Sequence, residues 1–166
     1  MSENFLSSVP CLISQFEDRI AELERENAVL RLNPNFGTLT RPALEIEHRK
    51  LTGSHFLVMI DIDKLHELNS QYGSLEPVNA MIKRAFDFRD DDLLLKANYA
   101  SGDEVVFIVR TDPAGFIDRL AESLAREGLS ATMVFEAITE EDSLLEVCDR
   151  AIKRVYDLKA KRGVVR

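Results

Sequence analysis

Tyr99-Ala-Ser-Gly-Asp-Glu-Val-Val-Phe-Ile-Val-Arg110 decides how this chain is read. A Ser-Gly pair and two acids lead into a continuous apolar run, and such a run bounded by a turn signal predicts a strand over Val105–Arg110. Leu93–Tyr99 supplies a partner strand across Ser101-Gly102, which places Asp103 and Glu104 at a hairpin tip. Neighbouring carboxylates repel unless water or a metal ion shares them. Upstream, Phe56-Leu-Val-Met-Ile-Asp-Ile-Asp63 is an apolar strand ending in two more acids, followed by the helix-compatible stretch Lys64–Asn69. Alternation along a strand puts Asp61 and Asp63 on one face. Asp63 reads as the N-cap of the next helix. Asp61 and Asp103 together read as a Mg²⁺ site, because hard divalent ions take carboxylate oxygens and leave positions for phosphates.

Outward from these strands the chain alternates in type. Helices are predicted over 42–51, 64–71, 76–86, 113–127 and 141–161, and strands over 56–61, 93–99, 105–110 and 131–138. Tyr72-Gly73-Ser74 breaks the second helix, Pro77 sits in the first turn of the third, and Gly128 stops the fourth. Strand-helix-strand-strand-helix-strand order gives an α+β class, a ferredoxin-like (palm-type) βαββαβ core with added helices. That topology brings the end of the first strand, with Asp61, beside the hairpin that carries Asp103.

Residues 12–32 precede this core as a coiled-coil helix. Ile13, Ile20 and Asn27 occupy a positions, Phe16, Leu23 and Leu30 occupy d positions, and the flanks are charged. A lone Asn at an a position favours a parallel two-stranded pairing in register. The expectation is a homodimer through residues 12–32, joined by the turn-rich linker Asn33-Pro-Asn-Phe-Gly37 to a domain over 33–166.

The chain has 166 residues, 45% hydrophobic and 30% charged, with a net charge of −8. That composition supports a packed core and excludes wholesale disorder. An acidic surface argues against a nucleic-acid polymer as partner, though not against one nucleotide held through a metal. Cys11 and Cys148 show neither metal-ligand spacing nor a disulfide framework. No apolar run is long enough for membrane insertion, and the N-terminus lacks signal-peptide character, so a cytoplasmic protein is expected.

Four segments in order resemble the GGDEF (diguanylate cyclase) family. Asn33–Leu44 is similar to the family's opening segment. Met59–Asp63, with Asn69 and Tyr72-Gly73, is similar to its first strand and nucleotide-binding helices. Ser101-Gly-Asp-Glu-Val105 stands in place of the Gly-Gly-Asp-Glu-Phe signature, and Cys148–Gly163 resembles the terminal helix. The resemblance implies an activity that joins two GTP molecules into cyclic di-GMP across a dimer. It implies Mg²⁺ held by Asp61, Asp103 and the Ile62 carbonyl, with Glu104 and Asp103 at the reacting groups. Asn69, Ser101, Gly102 and Lys159 would bind the nucleotide. Arg89 and Asp92 match the family's inhibitory product motif, but residues 93–100 separate them from the signature. A charged turn is the better reading there.

The chain departs from the family around the base. Val78 stands where the family has an Asp, Pro77 where it has a Gly, and His66 where it has a Lys; Ser101 and Val105 replace the first Gly and the Phe of the signature. Val cannot accept the base N–H bonds, and a lost polar contact of this kind costs orders of magnitude in selectivity. The sequence therefore reads as a dimeric regulatory module of cyclic-dinucleotide signalling that binds GTP, another nucleotide or an unidentified protein partner, with weak or no cyclase activity. The alternative is an active diguanylate cyclase, or a nucleotidyl cyclase of altered base preference.

Overall fold

The computed structural model describes residues 3–100 and 103–163. Two compact units divide at Leu32–Asn33. The first contains helix α1 (Glu3–Leu30), on which Ile13, Phe16, Ile20, Leu23 and Leu30 are all exposed.

β1 (Leu32–Asn33) falls at the boundary, and the second unit carries β2 (Thr38–Leu39), α2 (Arg41–His48), β3 (His55–Ile62), α3 (Leu65–Tyr72), α4 (Leu75–Ala85), β4 (Leu93–Asn98), β5 (Glu104–Val109), α5 (Pro113–Arg126), β6 (Ala131–Ile138) and α6 (Leu144–Arg162). The strands form one sheet in the order β1-β2-β4-β5-β3-β6. Both neighbours of β3 run antiparallel to it, and β5 lies between β3 and β4, which is the ferredoxin-like arrangement read from the sequence.

β3 reads as a continuous apolar run because both faces of the sheet are covered. Val58, Ile60 and Ile62 enter one core with Val78, Ile82 and Phe86 of the α4 region and Phe116, Leu120 and Leu124 of α5. Leu57 and Met59 enter the opposite core with Leu44 of α2 and Val147, Cys148, Ala151 and Val155 of α6. In β5 the same parity sends Val105, Phe107 and Val109 to the first core and Val106 and Ile108 to the second. Burial pushes the Cys148 thiol up to about 12, so it behaves as a small apolar residue.

Three local expectations change. The linker adds β1 and β2 to the sheet, with Leu39 in register with Ala97; its turn residues flank Phe36 and Thr38, which are buried. Asp63 does not cap α3. Lys64 occupies that place in the left-handed region (φ 56°, ψ 32°), with no side-chain cap. The last helix starts at Leu144 rather than Glu141, because the Asp142 carboxylate closes a turn on Thr139, accepting from its N–H (3.0 Å) and its hydroxyl (2.7 Å). Among the described residues no helix is long and apolar enough to cross a membrane.

Candidate functional site

Strand parity builds the site. Asp61 follows Leu57 and Met59 on the α6 side of β3, and Glu104 precedes Val106 and Ile108 on the same side of β5. The two acids are direct cross-strand partners, and Thr132 of β6 faces Asp61 from the other side. Like charges directly opposite each other destabilise a sheet. Both are also deeply buried, Asp61 at 3% and Glu104 at 4% exposure, so each needs a close partner.

α6 supplies both partners. Lys159, itself 7% exposed, donates from Nζ to Asp61 Oδ1 at 2.5 Å and to the Ile62 carbonyl at 3.1 Å. Its ammonium also lies 3.4 Å from Asp63 Oδ1, and that oxygen accepts from the Thr132 hydroxyl at 2.8 Å. One helical turn earlier, the Tyr156 hydroxyl donates to Glu104 Oε1. Burial raises the Asp61 carboxyl above the usual range; Lys159 opposes that shift, while the charges of Asp103 and Glu104 add to it.

The other residues singled out in the sequence fall as follows. Glu104 lies inside β5 and is buried, not at a solvated hairpin tip, because its strand starts one residue earlier than the apolar run. The Asp103 carbonyl accepts from the Ile62 N–H at 3.3 Å, tying the hairpin to the end of β3. Ser101 and Gly102 lie outside the described residues. Asn69 sits on α3, and its Oδ1 is buried with no hydrogen-bond partner within the protein. Val78 is fully buried in the core beneath α4, and His66 is exposed on α3. The Asp92 carboxylate accepts from Thr111 N–H, the Thr111 hydroxyl and Asp112 N–H at 2.7–2.9 Å. Arg89 lines an open hollow of about 520 Å³ beside it, together with Arg110 and Arg119.

Tyr156 and Thr132 escaped the sequence reading. The available signal was spacing: Tyr156 and Lys159 are three apart on a helix and share a face. A His48–His55 pair was also missed, with Nε2 to Nε2 at 2.7 Å and His55 Nδ1 2.9 Å from the Gly53 carbonyl.

Asp61 Oδ1, the Ile62 carbonyl and Asp63 Oδ1 converge on one point, where the Lys159 ammonium sits. Two carboxylates and a carbonyl are a hard, all-oxygen donor set. Mg²⁺ commonly binds through one or two carboxylates and completes its shell with water and phosphate. The donors therefore suit such an ion in kind, although among the described residues no three His, Cys, Asp or Glu side chains are spaced to hold one by themselves.

No family model and no curated protein matches this sequence. Solved structures do. The diguanylate cyclase SiaD of Pseudomonas aeruginosa, in complex with its activator SiaC, is 19% identical; the match covers 96% of this chain and 72% of that one, with a TM-score of 0.62. The coiled coil and GGDEF domain of DgcB from Caulobacter crescentus, in complex with c-di-GMP, is 18% identical over 97% of this chain and 94% of that one, at 0.60. The S helix–GGDEF–EAL portion of Vibrio cholerae LapD, bound to c-di-GMP, is 12% identical over 89% of this chain and 38% of that one, at 0.63. The chain has the fold of a GGDEF domain, with a helix preceding the sheet.

Proposed function

We propose that this chain is a divergent GGDEF-type module of cyclic-dinucleotide signalling, which binds a nucleotide or a protein partner as a dimer and has weak or no cyclase activity. The observation that carries the reading is the convergence of Asp61, Ile62 and Asp63 oxygens at the end of β3, beside Asp103 and Glu104. Asp61, the Ile62 carbonyl and Asp103 would hold Mg²⁺, which when bound neutralises phosphate charge. The buried, unpartnered Asn69 Oδ1 on α3 is suited to accept an N–H from a base edge. Lys159 and the Ser101-Gly102 turn would meet the phosphates. Structural neighbours in complex with c-di-GMP, and one in complex with an activator protein, support both partner types.

Weak turnover follows from the base side of the site. Val78 is committed to the core, so that position of α4 offers no acceptor in place of the family's second base contact. His66 carries a group mostly neutral at pH 7 where the family has a permanent cation. Catalysis needs the nucleotide in attack geometry, and a positional error near 1 Å costs ~100-fold. The second reading, an active nucleotidyl cyclase of altered base preference, is favoured by the survival of Asp61, Asp103 and Glu104 together.

The test is incubation of the purified protein with GTP, ATP or both and Mg²⁺, with mass analysis of products and calorimetric titration of each nucleotide. Nucleotide binding with little product is the expected result. Production of cyclic di-GMP on the order of 1 s⁻¹, typical of enzymes, would overturn the regulatory reading, and absence of any nucleotide binding would leave only the partner-binding role.

A further inference from the structure

The cation position at the end of β3 is already filled by a side chain. Lys159 Nζ has three N–H donors, and three protein oxygens surround it: Asp61 Oδ1 at 2.5 Å, the Ile62 carbonyl at 3.1 Å and Asp63 Oδ1 at 3.4 Å. We propose that Lys159 is a tethered counter-ion that competes with divalent cations for this site, so that free metal binds only when the ammonium leaves. The inference rests on the cation-site reading above.

The argument is geometric and electrostatic. Oxygens spaced for an ammonium stand farther out than the 2.0–2.1 Å shell of Mg²⁺. Contracting them around a divalent ion leaves no room for Nζ, and two cations sharing one carboxylate repel strongly in a buried site. Lys159 is held on α6 with its side chain only 9% exposed, so the competitor is always at high effective concentration. Its removal would strip Asp61 and Asp63 of their ion pairs with Glu104 still beside Asp61, a costly buried state that a metal ion would relieve. Tyr156 completes the arrangement from the same helix face, holding Glu104 through a neutral donor that does not occupy the cation point. Once released, the Lys159 ammonium lies beside the site, where phosphate oxygens would be its natural acceptors. Metal entry and phosphate capture are thereby coupled through one residue.

The experiment titrates Mn²⁺ alone into the full-length chain, reading free Mn²⁺ by electron paramagnetic resonance, for wild type, Lys159→Met and the double variant Asp61→Asn/Lys159→Met. Lys159→Met is expected to bind Mn²⁺ at least about tenfold more tightly than wild type, and the double variant is expected to lose that gain. Equal or weaker binding by Lys159→Met overturns the proposal, as does micromolar Mn²⁺ binding by wild type. If Lys159→Met fails to fold in metal-free buffer, thermal unfolding with and without Mn²⁺ decides the matter. Recovery of a cooperative transition on adding Mn²⁺ supports competition, and no recovery refutes it. No nucleotide is present, so a failure of the nucleotide reading shows in the calorimetric titrations and leaves this result independent.

Discussion

At the residue scale, the Asp92 carboxylate organises the turn ahead of α5. It stands just before β4 and accepts from the Thr111 N–H, the Thr111 hydroxyl and the Asp112 N–H, which fixes the start of α5. Burial alone would raise its carboxyl, but the Asp112 and Thr111 donors and the nearby Arg119 charge hold it below the usual range. A depressed carboxyl contributes stability that is present above its unfolded value and lost as pH falls through its folded one. Asp92→Ala is therefore expected to cost about 1–2 kcal/mol at pH 7 by urea unfolding, hydrogen bonds to a charge being discounted here for solvent. The gap between variant and wild type should close below about pH 4. A gap that persists unchanged at pH 3 would show that packing, not the charged acceptor, carries the effect.

At the scale of elements, the junction of α2 and β3 is held by a His pair. His48 ends α2 and His55 begins β3; their ring nitrogens are 2.7 Å apart and the rings meet edge-on. A cation in the last turn of a helix is normally favoured. Here burial, and then the His55 charge, lower the His48 value instead. For a base, a lowered folded value means that stability is complete above about 6.5 and declines as pH falls through that value toward the folded one. Unfolding free energy should therefore fall between pH 7.5 and 5.5, and His48→Asn should flatten that slope. An unchanged slope in the variant would assign the titration to another group.

Elements with a strong period were legible from the sequence, and the exceptions have physical causes. β3, β5 and α5 announced themselves through apolar runs and an Asp-Pro start, and Asp112 does cap α5 by accepting from the Gly115 N–H at 3.0 Å. β1 and β2 were hidden in turn-rich sequence because their places depend on burial of Phe36 and on the Asn33–Asn98 side-chain bond across the sheet edge, both non-local. In the site, parity along β3 foretold that Asp61 and Asp63 share a face. The partner on that face was not foretold. The family resemblance assigns Lys159 to phosphate, and only the packing of α6 shows that its ammonium lies on Asp61. Glu104 was misplaced for a related reason, since a charged residue is not expected inside a strand until Tyr156 supplies a donor.

For the whole molecule, α1 is the expected seam of assembly. Ile13, Phe16, Ile20, Leu23 and Leu30 repeat at a and d spacing and remain between 46% and 74% exposed in the single chain. Most helical stability in proteins comes from packing an apolar face rather than from intrinsic propensity, and pairing with a second copy in parallel would cover this stripe, with Asn27 facing Asn27 to fix register. Full-length protein is expected to sediment as a dimer, and a chain beginning at Asn33 as a monomer, because residues 33–166 form a compact unit of their own. Ile20→Glu tests the seam within the intact chain. A buried like-charge pair at an a position should convert the dimer to monomer and lower far-UV helicity by the contribution of α1, while the unfolding transition of the second unit stays in place. Asn27→Leu should act in the opposite direction on stability and loosen the choice of oligomer. If Ile20→Glu remains dimeric with full helicity, the contacts lie elsewhere, and α1 would then have to be covered by another surface. Loss of the dimer also bears on function. Nucleotide binding by each domain should survive Ile20→Glu, whereas any residual two-nucleotide condensation, which requires two sites to face each other, should vanish with the seam.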